Sequence, residues 1–235
     1  MRQTKKDTQE TVQAPVLTRH LSCQEQLDFA REQFGKLVDA GALSIEKEVF
    51  DLAIVLGFYG AMPAAACSGH EQSEDDPKTV EFPWVRFEPA KINKSAQKKL
   101  EQALDKIEAL GDDIFAAEYA LLRQKWRQHY LRAREPNLKL CRYLYQLLDD
   151  FYRIHHAPSY EVQLTIQDID LDGSVLQSMG QEVFGAMSRR EQLRMLKLCR
   201  EELREFGNFL QERFLASDAG RQQLNKYVVK GHFEA

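Results

Sequence analysis

The chain has 235 residues, of which 43% are apolar and 29% are charged, and its formal net charge is −4. This length and apolar content predict a globular protein with one large or two small domains. Acidic and basic residues are interspersed, so the overall charge excludes the strongly basic class of nucleic-acid-binding protein and leaves only local basic clusters to consider.

The amino-terminal part of the chain predicts a tail followed by a small helical unit. Residues 1–20 are polar and lack the apolar core of a secretory signal, so we expect a disordered tail. Residues 21–62 predict a small unit of two helices, over 23–40 and 44–60, because apolar residues recur there at helical spacing.

An uncharged run from Leu52 to Cys67 could suggest a membrane span. It holds only sixteen residues and contains glycine and proline, whereas a bilayer requires about 20 apolar residues in regular helix. We therefore predict a buried helix at this position and no membrane association.

The rest of the chain predicts a linker and a main helical domain. Residues 63–94 are acidic and turn-rich and then extended, which favours a loop and extended linker. Residues 95–235 form the predicted main domain, because apolar residues recur every three or four positions over 95–156. Pro136 predicts a boundary between two helices, since proline cannot donate the helical hydrogen bond.

Residues 160–178 predict a β-hairpin inserted in this domain. Apolar and polar residues alternate from Tyr160, and Asp172-Gly173 suits a tight turn. A lone hairpin is marginally stable in water, so it must pack on the helices or gain a further strand, either from residues 80–87 or from another chain.

A last long helix is predicted from Ser188 to about Ala216. Ser188 and Glu191 have the spacing of a capping box, and an apolar stripe follows. Taken together, the elements predict a mostly α, helical bundle-like fold with long amphipathic helices and a small β-hairpin insertion, close to the all-α class.

The first functional hypothesis is a cytoplasmic, non-catalytic interaction protein or accessory subunit of a larger complex. Long amphipathic stripes usually pack along another helix, within the fold or across an oligomer. Four scattered cysteines without a CxxC pair are typical of reduced thiols in the cytosol. No cofactor is predicted, and a protein partner or a second copy is expected. The candidate contact residues are aromatic: Trp84, Trp126, Tyr130, Tyr143 and Tyr145.

The second hypothesis is a helical nuclease or nucleic-acid-associated factor. Arg123 and His129 lie six residues apart on a predicted helix. This spacing resembles the R-x(4–6)-H signature of HEPN-type helical ribonucleases, and the resemblance implies that the pair acts on a phosphodiester. The window from 123 to 134 also holds five basic residues and no acidic one. These candidate phosphate contacts are Arg123, Lys125, Arg127, Arg132 and Arg134.

For three further motifs, a structural role is a better explanation than metal binding or catalysis. Asp168, Asp170 and Asp172 match the opening of an EF-hand loop, but the twelfth position is Met179 where a bidentate Glu is required, so we predict a solvated hairpin tip. His155 and His156 are adjacent and would point about 100° apart on a helix, which argues against a shared metal. Cys67-Ser68-Gly69-His70 is predicted to be a loop that does not hold a base against the thiol.

Overall fold

A computed structural model describes residues 21–71, 80–110, 117–169, 171 and 173–216. The predicted tail at 1–20 and the aspartates at 170 and 172 lie outside these residues. The helices are α1 Cys23–Asp39, α2 Phe50–Phe58, α3 Lys94–Ala109, α4 Ala117–Tyr152, α5 Gln181–Phe184 and α6 Arg189–Ala216. The strands are β1 Ser44–Ile45, β2 Ala61–Cys67, β3 Trp84–Pro89, β4 Leu164–Asp168 and β5 Ser174–Ser178.

A five-stranded mixed sheet with the order β1-β2-β3-β5-β4 lies at the centre of the fold. Only β1 and β2 run parallel, and the other neighbouring strands are antiparallel. The predicted all-helical, bundle-like fold is therefore wrong: helices pack against a substantial sheet in an α/β arrangement. The predicted hairpin is confirmed as β4 and β5, and it gains the expected further strand, since β3 pairs with β5.

Strand β2 lies where the sequence predicted the end of the small helical unit and the start of the linker. The predicted helix over 44–60 is found only as α2, because its first residues form β1 and a short 3-10 turn, and Gly60, with a positive φ of 88°, follows its end. The sequence of β2 is Ala-Met-Pro-Ala-Ala-Ala-Cys. Alanine and proline are poor strand formers, so local propensity gives no sign of a strand here. Pairing with β1 and β3 on both sides supplies the stabilisation.

Helix α4 runs through Pro136, so the predicted helix boundary is wrong. A proline inside a helix costs about 3 kcal/mol through its missing N–H and its ring clash. Apolar side chains are buried on both sides of it, including Leu122 and Ala133 before and Leu140 and Leu144 after. This tertiary packing outweighs the local cost.

Three of the helices have a side-chain cap at their amino-terminal end. Ser22 and Glu25 form a capping box at α1, and Asn93 accepts a hydrogen bond from the Ala96 amide at α3. At α6, the Ser188 amide donates to the Glu191 carboxylate at 3.0 Å, which confirms the predicted capping box.

The main core joins strands and helices from both ends of the chain. Its buried residues come from α1, α2, β2, β3, the second half of α4, β4, β5 and α6. The sheet thus takes strands from both of the predicted units, and the predicted division of the chain into domains stays a prediction. No described helix is both long enough and apolar enough to cross a membrane.

Helix α3 and the first half of α4, residues 94–109 and 117–135, form an antiparallel pair that we call the helical arm. Residues just before α3 and residues 136–140 of α4 line the same small cleft, so the two helices meet there and run in opposite directions. None of the buried residues of α3 or of the first half of α4 belongs to the main core.

A buried polar node connects α4 to the sheet where the arm meets the body. The Asn137 side chain is fully buried and donates to the Ser174 hydroxyl at 3.0 Å and to the Asp168 carboxylate at 3.3 Å. Arg134, one turn earlier, forms an ion pair with the same aspartate. The beginning of β5 and the end of β4 are thereby attached to α4.

Matched substitutions in α4 test the division between arm and core. We expect Leu144→Ala to lower the free energy of unfolding by about 2–5 kcal/mol, because this side chain is 2% exposed in the main core. Leu131→Ala, at a position 53% exposed, should change it by less than about 0.5 kcal/mol. Urea denaturation followed by circular dichroism measures both values, and equal losses would contradict this packing.

Candidate functional site

Glu46 and the tetrapeptide Cys67–His70 come together at the end of the parallel pair β1–β2. The pairing sets Ser44 opposite Ala65 and Ile45 opposite Ala66, so the residue that follows β1 lies beside the residues that follow β2. The Glu46 amide continues the ladder by donating to the Ala66 carbonyl at 3.2 Å. A carboxylate, a thiol and an imidazole thus lie at one corner of the sheet.

The Glu46 carboxylate accepts three hydrogen bonds at this corner. Its Oε2 accepts from the Ser68 amide at 2.7 Å and from the Ser68 hydroxyl at 2.5 Å, and its Oε1 lies 2.7 Å from His70 Nε2. Partial burial raises the pKa of this carboxyl, but the bonds from Ser68 and His70 outweigh burial and leave the pKa below its ordinary value. The group is therefore held as a carboxylate at neutral pH.

The turn itself is fixed by Gly69 and Arg200. Gly69 has a φ of 79°, and a Cβ at this position would lie 2.7 Å from Leu196 Cδ1 and 2.8 Å from the Glu81 carbonyl oxygen. The guanidinium of Arg200, on α6, donates to the carbonyl oxygens of Ser68 and Gly69. Backbone bonds in both directions between His70 and Glu81 complete the support.

Cys67 contributes a buried sulfur to the same corner. Its Sγ accepts a hydrogen bond from the Gly69 amide at 3.2 Å. Burial, followed by the charges of Glu46 and Glu81, raises the pKa of the thiol to about 12 despite that bond. The thiol is therefore held protonated at neutral pH, and the interpretation that this motif is not a nucleophile–base pair stays a prediction.

A cleft of about 560 Å³ opens beside this corner, between the start of α2 and the solvent side of α6. Ser68 and Arg200 line it, together with charged side chains from both helices. Its charged lining residues are Glu48, Asp51, Lys197, Arg200, Glu201 and Arg204.

The structure places Arg123 and His129 on different sides of α4. Six residues of helix correspond to a rotation of about 600°, so the two side chains project about 120° apart. The Arg123 guanidinium lies 5.9 Å from the centroid of the Tyr119 ring, while His129 is half-buried and its Nδ1 has no hydrogen-bond partner. The proposed catalytic pair stays a prediction, with its two members not brought together.

The predicted phosphate contacts also fall into two groups, one exposed and one bonded to the body of the protein. Arg123, Lys125, Arg127 and Arg132 are exposed on the arm. Arg134 is committed to the body of the protein through its ion pair with Asp168 and its contact with Tyr130.

The predicted contact aromatics lie on two elements, α4 and β3. Trp126 and Tyr130 are half-buried on the arm and stack on one another with ring centroids 5.1 Å apart. Tyr143 and Tyr145 are exposed on the second half of α4, and the Tyr145 hydroxyl donates to the Ile166 carbonyl of β4. Trp84 is half-buried on β3.

The other sequence motifs have structural partners. Asp168 pairs with Arg134 and Asn137, and Asp170 and Asp172 lie outside the described residues. His155 lies 3.0 Å from the buried Glu202, whereas His156 is exposed.

Glu46 is the site residue that sequence reasoning missed. It lies more than twenty positions before Cys67 and His70, in a segment predicted to be helical. Its position depends on the parallel pairing of β1 with β2, which no local pattern reveals. The C-x-x-H spacing of Cys67 and His70 was the one available signal.

Comparison with protein-family models, with curated proteins and with solved structures found no match to this chain. The arguments below therefore depend on the geometry and chemistry of the described residues.

Substitution of Gly69 tests whether the turn is as constrained as its geometry indicates. Gly69→Ala should destabilise the protein by about 2–4 kcal/mol, because the new methyl meets backbone atoms and φ is positive. Gly57→Ala, within α2 and with no atom within 4 Å of the new methyl, should be neutral or stabilising. Thermal unfolding of both variants gives the comparison, and a Gly69→Ala protein as stable as the wild type would contradict the geometry.

Acid titration tests the role of the Glu46 carboxylate. A carboxyl whose pKa is lowered by folding contributes stability that is present above its unfolded pKa, near 4.5, and is lost as the pH falls through the folded value. With EDTA present, Glu46→Gln should be about 1–2 kcal/mol less stable than the wild type at pH 7, and this difference should shrink below pH 4.5. The exposed Glu48→Gln is the control. A difference that grows as the pH falls would disprove the assignment.

Proposed function

We propose that the protein is a cytosolic, non-catalytic interaction protein that binds an acidic, amphipathic helix of a partner protein through the helical arm. The observation that carries the proposal is the presence, on the same arm, of exposed leucines and of a local excess of positive charge. All four cysteines are free thiols, which fits the reducing cytosol.

The apolar part of the surface lies mainly on α4. Leu121 and Leu131 on the arm, and Leu138 three residues beyond its end, are each more than 40% exposed, as is Leu104 on α3. Leu131 and Leu138 are seven residues apart, so they lie two turns apart on one side of the helix. They supply the i and i+7 anchors of the pattern with which amphipathic helices dock on one another, while the i+3 and i+4 positions between them are Arg134 and Glu135.

The charge of the arm is opposite in sign to that of the rest of the chain. Residues 94–109 and 117–135 carry nine basic and five acidic side chains, a net charge of +4, whereas the whole chain carries −4. Such an asymmetry steers association toward an acidic surface and disfavours like-charged partners. It also argues against pairing of two arms in a parallel dimer.

The leucines favour a protein over a nucleic acid as the occupant. Phosphate binding requires only the basic side chains, and the exposed leucines between them add nothing to it. An acidic amphipathic helix uses both features. Nucleic-acid binding through Arg123, Lys125, Arg127 and Arg132 is the alternative, and the experiment below distinguishes the two.

Binding of a designed peptide tests the proposal. The probe is a fluorescent amphipathic helix with leucine at i, i+3 and i+7 and glutamate elsewhere, and fluorescence anisotropy measures its affinity for the full chain. We expect salt-sensitive binding that Leu131→Ser/Leu138→Ser weakens roughly tenfold or more. The charge reversal Arg123→Glu/Lys125→Glu/Arg127→Glu/Arg132→Glu should abolish it.

Reversal of four basic residues on the body, Lys47, Arg153, Arg190 and Arg194, is the matched control and should leave most of the affinity intact. A parallel titration uses a single-stranded oligonucleotide of the same net charge. Tighter binding of the oligonucleotide, unaffected by the leucine substitutions, would overturn the proposal in favour of the nucleic-acid alternative. Absence of peptide binding at low salt would also overturn it.

A further inference from the structure

The side chains of Glu46, Cys67 and His70 offer one carboxylate, one sulfur and one imidazole nitrogen within a small volume. Their donor atoms all lie within 4.8 Å of one another. Within the described part of the chain, this is the one group of three such side chains close enough to share an ion. Sulfur, nitrogen and oxygen donors in one set are typical of Zn²⁺, whereas Ca²⁺ and Mg²⁺ select oxygen alone.

We propose that Glu46, Cys67 and His70 form a Zn²⁺ site with three protein ligands and an open fourth position. The inference is independent of the proposed function of the arm, since it uses none of the arm's residues.

The existing distances are close to those that a tetrahedral ion requires. Zn–N and Zn–O bonds of about 2.0 Å and a Zn–S bond of about 2.3 Å separate neighbouring ligand atoms by about 3.3–3.6 Å. The Glu46–His70 contact of 2.7 Å must widen by about half an ångström, and the sulfur, which lies within 4.8 Å of both groups, must take a position about 3.5 Å from each. The His70 side chain is 44% exposed and can rotate to accommodate the ion.

The backbone around the sulfur is arranged as a metal-binding cysteine requires. A thiol sulfur is a weak acceptor, yet the Gly69 amide is directed at Cys67 Sγ from two residues further on. Directly after this amide the chain turns at Gly69, whose positive φ, contacts that leave no room for a Cβ, and bond from Arg200 to its carbonyl oxygen fix the turn. When Zn²⁺ binds, the thiol loses its proton to solvent, and the amide then donates to a thiolate.

The carboxylate is already held in place by hydrogen bonds from a residue that is not itself a ligand. The Ser68 amide and hydroxyl both donate to Glu46 Oε2, which leaves Oε1 as the oxygen directed toward His70. Outer hydrogen bonds of this kind fix the orientation of a ligating carboxylate. If Glu46 served only to anchor the turn, Ser68 and His70 would suffice, and nothing would require Cys67 Sγ within reach of both groups.

The fourth position is open to solvent, because the side chains of His70 and Glu46 are 44% and 33% exposed. Ser68 and Arg200, which hold the turn, also line the cleft of about 560 Å³. A site with three protein ligands and access to solvent keeps a water or another small ligand as the fourth. The proposal therefore predicts exchangeable binding at that position and not a closed structural zinc.

Cobalt spectroscopy tests the ligand set directly. The full chain is reduced, stripped with EDTA, desalted and titrated with Co²⁺ and then with Zn²⁺. We expect one equivalent of Co²⁺ to give a thiolate-to-metal charge-transfer band together with visible bands of four-coordinate intensity, and Zn²⁺ to abolish both. Cys67→Ser should remove the charge-transfer band, and His70→Ala and Glu46→Gln should weaken Zn²⁺ binding roughly tenfold or more.

Two matched variants control for other thiols and imidazoles. Cys141→Ser and His156→Ala remove groups outside the cluster and should keep the wild-type spectrum and affinity. Because Cys67→Ser could affect folding, thermal unfolding supplies a second measurement: Zn²⁺ should raise the unfolding temperature of the wild type and not that of His70→Ala, whose altered side chain is largely exposed. A cobalt spectrum without a thiolate band, or equal Zn²⁺ affinity in the wild type and His70→Ala, would overturn the proposal.

Discussion

The pairing of β3 with β5 is the interaction on which the rest of the structure depends. It joins Trp84–Phe87 to Ser174–Gln177, segments almost ninety residues apart in sequence, and so unites two strand pairs in one sheet. Val85 and Phe87 of β3 are fully buried in the main core. Without this pairing, the β1–β2–β3 unit and the β4–β5 hairpin would each expose an apolar face and an open edge.

The features that the sequence could predict are those determined by neighbours along the chain. Helix α1, the hairpin β4–β5 and the capping box at Ser188 depend on residues within a few positions of one another, and each was predicted correctly. The features that it missed depend on partners far away. Strand β2 has a helix-favouring composition and exists because β1 and β3 flank it, and α4 continues through Pro136 because both of its halves are packed.

The candidate site follows the same rule. The C-x-x-H spacing of Cys67 and His70 was visible, but its interpretation as an unstructured loop lacked the two features that hold it, the hydrogen bonds to Glu46 and the cover provided by Arg200. Arg200 lies 130 residues further on, on α6. A carboxylate and a guanidinium brought from opposite ends of the chain therefore convert an ordinary tetrapeptide into a fixed arrangement of donor atoms.

The continuity of α4 has a mechanical consequence. Helix residues rise about 1.5 Å each, so Leu121 lies about 24 Å along the axis from Asn137, where the side-chain bonds to β4 and β5 attach the helix to the sheet. The second half of this helix is buried in the main core, so the first half behaves as a lever that projects from the body. Torque applied to the arm is delivered to the Asn137–Ser174–Asp168 attachment, to the Tyr145 bond on the outermost strand and to the core packing of α4, and these contacts together determine how stiffly the arm is held.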